Sequence, residues 1–361
     1  MALAILATLL GLALVAWSAD KFVDGAAAVA QHLGMAPLLV GMVIIGFGTS
    51  APELAVSAFA AADGEPGLAL GNAIGSNIAN IGLILGATAI VMPIAVRRGV
   101  LRSELPFVLL VTVLLAGLLV DRHLSRADAM ILVAVLVGYL AWSIWRGTRR
   151  EDAPGGAAAP PGGAPVDAPG APPADAPGAE PEPATPASSA DRDPLVATVV
   201  AEEERIGLSK KAAWTWTLVG MALLIVASRV LVWGATGIAE RLGWSELVIG
   251  LTVVAIGTSA PELAAGLAAA RRGAADLVLG NVIGSNLFNA LGVVGLAGLI
   301  APTAVEDVAL TRDIPALLVI TVALILMAYH PRRDGRINRI EGGVLLVAWI
   351  GYTVVLIATA G

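Results

Sequence analysis

The chain contains no cysteine and only three histidines in 361 residues, and it is poor in charged (14%) and aromatic (4%) residues. Without cysteine there is no disulfide framework, thiolate metal site, cysteine nucleophile or iron–sulfur centre. The shortage of charge comes with 57% hydrophobic residues and a mean hydropathy of +0.84, which excludes a soluble enzyme as the main reading. The net charge of -6 and the lack of a basic face interleaved with aromatics leave no sign of a nucleic-acid partner. His32, His123 and His330 fall in or near expected loops, so Ser50 and Ser259 have no general base within reach and an intramembrane serine protease is set aside. Gly71 to Gly75 opens no soluble strand–helix unit and is not a phosphate-cradling loop.

What the chain has in abundance is apolar run. Stretches at 2–19, 37–61, 68–92, 104–120, 127–146, 213–234, 246–270, 277–301, 312–329 and 340–360 read as ten transmembrane helices. Each approaches the ~17–25 residues needed to cross about 30 Å of hydrocarbon. The expected fold is an all-α polytopic membrane protein embedded in the lipid bilayer. Between residues 153 and 189 the chain runs through Ala, Pro, Gly and scattered acids without one Leu, Ile or Phe, a composition unable to bury a core. This divides the protein into a five-helix unit at 1–146, a disordered linker at 147–212 with a short helix expected around Glu202 to Arg205, and a second five-helix unit at 213–361.

The two units are duplicates. Gly48-Thr49-Ser50-Ala51-Pro52-Glu53-Leu54-Ala55 recurs unchanged at Gly257 to Ala264, and Gly71-Asn72-Ala73-Ile74-Gly75-Ser76-Asn77 recurs as Gly280-Asn281-Val282-Ile283-Gly284-Ser285-Asn286, both 209 residues later. The same offset carries Gly25 onto Gly234, Asn80 onto Asn289, Pro93 onto Pro302 and Pro106 onto Pro315. An odd number of spans per unit forces the second copy to enter the membrane upside down, giving an inverted repeat about an axis in the membrane plane. With the N-terminus outside, ten Lys and Arg residues of the short loops fall inside and five outside, which places both termini outside and the linker in the cytoplasm of a cell (inner) membrane protein. The first apolar run has no basic n-region and matches an internal span of the second unit, so it reads as a span and not as a signal peptide.

Of 28 acidic residues, Glu53 and Glu262 are the two well inside long apolar spans, at equivalent places in the repeats. An ionised carboxylate there costs at least ~2.5 kcal/mol unless it meets a partner or water, and no Lys or Arg is expected at comparable depth. Two such anions call for a cation. Thr49, Ser50, Glu53 and Ser57 recur at helical spacing, as do Thr258, Ser259 and Glu262, and Asn72, Ser76 and Asn80 are mirrored by Asn281, Ser285 and Asn289. Pro52 and Pro261 deprive the carbonyls of Gly48 and Gly257 of helical partners, and the glycines favour local unwinding, which frees backbone oxygens. An oxygen-only donor set suits Na⁺ and Ca²⁺. The plain alternative is interhelical hydrogen bonding by the Ser, Thr and Asn stripes and close helix packing at the glycines.

The twin Gly-Thr-Ser-Ala-Pro-Glu segments, each followed by Gly-Asn-x-Ile-Gly-Ser-Asn-x-x-Asn, resemble the α-repeats of the calcium/cation antiporter superfamily and are most similar to those of bacterial sodium/calcium exchangers. The resemblance covers every span but not the linker. It implies a secondary antiporter moving three sodium ions against one calcium ion, with ion sites between spans 2, 3, 7 and 8 and no cofactor, enzyme activity or obligate protein partner. By motif position, Glu53 and Glu262 would hold Ca²⁺ with the carbonyls of Thr49 and Thr258. Sodium sites would add Ser50, Ser76, Ser259 and Ser285 with the carbonyls of Gly46 and Ala255, and Asn80 and Asn289 would flank the centre. Potassium-dependent relatives place Asp at the position of Asn289, so the resemblance argues against potassium use. A calcium/proton exchanger of the same superfamily and, in another class, a cation channel would share the acidic lining. Spans 1 and 6, with Gly25 and Gly234 near their ends, are the expected gate.

Overall fold

The computed structural model describes residues 2–33, 37–64, 66–149, 208–241, 259–330 and 334–359. The expected linker therefore lies outside the described residues, apart from its two ends, and so does the first part of the seventh span.

The first unit opens with α1 (Ala2–Leu33), α2 (Pro37–Val40), a π-helical stretch at Gly41–Ile45, α3 (Gly46–Ala62) and α4 (Pro66–Ala79). A second π-helical stretch at Asn80–Leu85 leads into α5 (Gly86–Val91), followed by β1 (Ile94–Val96), α6 (Arg98–Arg102), α7 (Glu104–Leu118), β2 (His123–Leu124) and α8 (Arg126–Arg149). The second unit contains α9 (Lys210–Arg241), α10 (Ala260–Arg271), α11 (Ala275–Leu287), a π-helical stretch at Phe288–Val293 and α12 (Val294–Ile300). It ends with β3 (Thr303–Ala304), a π-helical stretch at Ala309–Asp313, α13 (Ile314–Ala328), β4 (Gly335–Ile337) and α14 (Arg339–Thr359).

Among the described residues, eight helices are long and apolar enough to cross a membrane, and the bent pair Leu38–Ala51 and Val56–Ala62 makes nine. The remaining expected span, 246–270, is described only from Ser259 onward. The fold is helical and membrane-spanning as the apolar runs imply, with Leu, Ile and Val side chains exposed on the outer faces of α1, α7, α9 and α14. Residues Leu277 to Leu287 of α11 are all buried, which puts this helix at the centre of the bundle.

Two boundaries differ from expectation. Both α1 and α9 run 32 residues, well beyond the apolar stretches that end near Ala19 and Gly234. The Ala- and Val-rich sequence after Asp20 carries no proline, and Asp20 and Asp24 find a partner in Arg272, so the charges do not stop the helix. Small strands, which apolar periodicity gives no means to see, pair β1 with β4 (Ile94↔Ile337) and β2 with β3 (Leu124↔Thr303).

The inverted repeat is visible in contacts. Helices α1 and α9 pack antiparallel so closely that a Cβ on Gly11 would lie 2.7 Å from the Leu231 backbone and one on Gly220 2.8 Å from that of Phe22. Applying the 209-residue offset to Gly11 and Leu231 yields Gly220 and Phe22; applied to Gly25 against Thr217 it yields Gly234 against Thr8, the other close pair. A contact that maps onto its own reversal is the mark of a twofold axis. Ile94 and Thr303 keep the 209 offset while Leu124 and Ile337 are 213 apart, so the stretch from β3 to β4 is four residues longer than its counterpart from β1 to β2.

Candidate functional site

Glu53 sits on α3 and Glu262 in the first turn of α10, and both are buried to within 1% of complete. The carboxylates are close enough to interact electrostatically. Among the described residues, both oxygens of Glu53 and Oε2 of Glu262 have no hydrogen-bond partner, while Glu262 Oε1 accepts a long bond of 3.4 Å from Ser50 Oγ. Buried carboxylate oxygens without donors are costly unless something positive completes them. Among the described residues no cluster of three His, Cys, Asp or Glu exists, so any ion here would be completed by neutral oxygens.

Those oxygens surround the pair. Thr49 Oγ1 donates to Asn281 Oδ1 at 3.2 Å and approaches Ser285 Oγ and the Gly46 carbonyl at 3.4 Å. Ser285 Oγ also reaches the Gly46 carbonyl at 3.5 Å, and Asn281 Nδ2 donates to the Glu262 carbonyl at 3.2 Å. The donors are arranged this way because α2 and its π-helical continuation press directly on α11. A Cβ on Gly280 would stand 2.5 Å from the Leu38 carbonyl oxygen, and one on Gly284 2.4 Å from that of Met42. Only glycine allows the two backbones to meet.

The structure thus joins Glu262, Thr49, Ser50, Ser285 and Gly46 through hydrogen bonds that include Asn281, with Glu53 within electrostatic range of Glu262. Ser76, Ser259, Asn80 and Asn289 are also buried, but among the described residues they make no direct hydrogen bond to that set; Asn80 is joined instead to Asn286. Thr258 and Ala255 lie outside the described residues. The expected unwinding at Gly48 does not occur. Gly48 lies within α3, where its missing side chain makes room for Met221 and Phe22, and the loosened backbone is the π-helical stretch at Gly41–Ile45. The helix bends by 49° between Ala51 and Val56, as the missing Pro52 N–H leads one to expect. On the other side Ser259 occupies the cap position of α10 and Pro261 its first turn, the place where a helix-starting proline fits.

Three features were not legible as functional. Asn77 and Asn286, quoted only as motif letters, are buried at the interface between the repeats, where Asn77 Nδ2 donates to the Asn286 carbonyl at 3.2 Å. The π-helical stretches begin at Asn80 and Phe288, nearly equivalent positions beside the site; wide helical turns of this kind are frequent at functional sites. Arg229, expected near a helix end, lies inside α9, twelve residues from its C-terminus, and within electrostatic reach of Glu53. The helix runs past the apolar stretch, and a long Arg side chain can carry its charge away from the backbone that bears it.

Comparison with known proteins agrees with this arrangement. The family profile described as "Sodium/calcium exchanger protein" matches residues 3–145 and 212–358. CaxA of Alkalimonas amylolytica is 40% identical over 359 residues, covering 99% of this chain and all of that one. The inner membrane protein YrbG of Escherichia coli is 35% identical over 356 residues, covering 99% and 97%. Among solved structures, the sodium-calcium exchanger NCX_Mj soaked with Na⁺ and Ca²⁺ superposes with a TM-score of 0.73 at 30% identity, covering 96% of each chain. Each of the two matched stretches contains one copy of the repeated motifs, and the chain belongs to the sodium/calcium exchanger family of cation antiporters.

Proposed function

We propose that the protein exchanges Na⁺ for Ca²⁺ at a single midplane site built on Glu53 and Glu262. The observation that carries this reading is the pair of buried carboxylates with three of four oxygens unpartnered among the described residues, flanked by hydroxyl, carboxamide and carbonyl oxygens. A divalent ion matches two carboxylates in charge, and the hard oxygen set matches Ca²⁺ and Na⁺ in chemistry. The ligands are Glu53 and Glu262 with the carbonyls of Thr49 and Thr258 for calcium. For sodium they are joined by Ser50, Ser76, Ser259, Ser285, Asn80, Asn289 and the carbonyls of Gly46 and Ala255. Because both ions use the same glutamates, occupancy by one excludes the other, and counter-transport follows. The loop-charge asymmetry supports termini outside and a cytoplasmic linker in the inner membrane. The name of YrbG agrees in placing that relative in an inner membrane.

The deciding experiment is calcium uptake into vesicles of purified protein. An outward sodium gradient should drive calcium uphill, whereas a proton gradient alone should not. Uptake driven only by protons would overturn sodium coupling, and purely downhill calcium flux would indicate a channel. Exchange of three Na⁺ for one Ca²⁺ moves one net charge, worth about 2.3 kcal/mol per 100 mV. An inside-positive potential should therefore speed sodium-driven calcium uptake and raise the final calcium ratio. A ratio indifferent to a clamped potential would establish electroneutral exchange.

A further inference from the structure

We infer that Asn286 is a positioning residue for ion binding, resting on the site proposed above. Asn80 Nδ2 donates to Asn286 Oδ1 at 3.0 Å, which fixes the Asn80 carboxamide and leaves its Oδ1, buried and without a partner among the described residues, on the opposite side. A carboxamide whose NH₂ end is tied presents only its oxygen, and an oxygen is what a cation takes. The repeat offset converts this bond into one from Asn289 Nδ2 to Asn77 Oδ1. Both of those atoms are buried without partners among the described residues, so the amide arrangement is asymmetric where the sequence is symmetric. Asn77 takes the same role toward Asn289 when the two repeats exchange conformations. The test is a double-mutant cycle on the half-saturating Na⁺ and Ca²⁺ concentrations. Asn80→Ala and Asn286→Leu should each raise them roughly tenfold, and the double variant should be no worse than Asn80→Ala alone, since residues acting through one another are not additive. Multiplicative losses, or no effect of Asn286→Leu, would overturn the role of Asn286. No effect of Asn80→Ala would instead overturn the site reading itself. Should the Leu variant fail to reach the membrane, Asn286→Ala is read in the same cycle.

A second inference comes from the ion pairs between α1 and the end of α10. Arg272, at the end of α10, donates from Nε to Asp24 Oδ1 at 2.9 Å, and from Nη1 to Asp20 Oδ1 at 3.0 Å and to the Ala268 carbonyl at 2.8 Å; Nη2 reaches the Asp20 carbonyl at 3.1 Å. This guanidinium ties α1 to α10. The 209 offset turns Arg272 into Asp63 and Asp20 into Arg229: the same pair with the signs exchanged, at the other end of the molecule. Asp63 and Arg229 are exposed and make no ion pair with each other among the described residues. We propose that the two charge pairs are alternating latches, Arg272 with Asp20 and Asp24 closed in the conformation described and Asp63 with Arg229 closed in the opposite-facing one. Absence of native cysteine makes the test direct. Cysteine pairs at positions 20 and 272, and at 63 and 229, are treated with a short, reducible bis-thiosulfonate in vesicles. Each link should stop exchange and each should be released by reductant, and a four-cysteine protein should never carry both. Failure of 63 and 229 to link in saturating Na⁺, saturating Ca²⁺ and ion-free buffer, or full exchange by linked protein, would overturn the proposal. For folding, Asp63→Arg alone should slow exchange, and adding Arg229→Asp should restore it; a double variant no faster than the single would count against the pair.

Discussion

Replacing Glu53 or Glu262 with Gln should abolish sodium-driven calcium transport while leaving the protein folded. Each substitution keeps the shape of the side chain and removes one of two negative charges from a site in which three carboxylate oxygens have no other partner among the described residues. Folding should survive, because removing an uncompensated buried charge relieves a desolvation cost and leaves the surrounding packing intact. Binding should not, because a Ca²⁺ ion facing one carboxylate and neutral oxygens keeps a net positive charge in a low-dielectric bundle. Calcium uptake should fall at least roughly a hundredfold in either single variant, a loss of about 2.7 kcal/mol or more. Thermal unfolding in detergent without ions should stay at or above the native midpoint, and the stabilisation normally conferred by added Ca²⁺ should disappear. Sustained sodium-driven uptake by the Glu53→Gln, Glu262→Gln double variant would remove these residues from the transport site.

How much of this was readable in the chain depended on what kind of order the residues impose. Duplication at a fixed offset of 209 is discrete, so the inverted repeat and the pairing of Glu53 with Glu262 followed from letters alone, and the contacts of Gly11 and Gly220 bear out the twofold relation. Helix limits follow no such rule. The apolar run ends at Ala19, but α1 continues to Leu33 because Asp20 and Asp24 are met by Arg272 from a distant segment, a tertiary partner that no local pattern announces. The place of loosened backbone was misjudged for a similar reason. Proline at position 52 does coincide with a bend, but Gly48 serves to admit Met221 and Phe22, and whether a glycine marks unwinding or close approach is decided by what packs against it. Asn77 and Asn286 were hidden in plain view. Their identity was part of the repeated motif, but their position on the interface between repeats appears only once α4 and α11 face each other.

Substitution of Gly284 should damage both folding and exchange. Gly280 and Gly284 lie one turn apart on α11 and form the face on which α2 and its π-helical continuation rest. A Cβ on Gly284 would stand 2.4 Å from the Met42 carbonyl oxygen and 2.8 Å from its Cα, and neither atom can rotate away as a side chain could. The backbones must therefore separate. Overpacking of a rigid contact costs about 1–3 kcal/mol for the first added carbon, and a branched side chain adds to it. The same separation would move Gly46, where an added Cβ would stand 3.0 Å from the backbone of Gly284 and Ser285, and carry its carbonyl out of reach of Ser285 Oγ at 3.5 Å. Gly284→Ala should accordingly lower the unfolding midpoint and cut exchange at least roughly tenfold, and Gly284→Val should yield little folded protein. Gly351→Ala on α14, where no described atom lies within 4 Å of the added carbon, supplies the control and should be nearly neutral in both measurements. If Gly284→Ala were as harmless as Gly351→Ala, the backbone contact between α2 and α11 could not be what holds the oxygens of the site together.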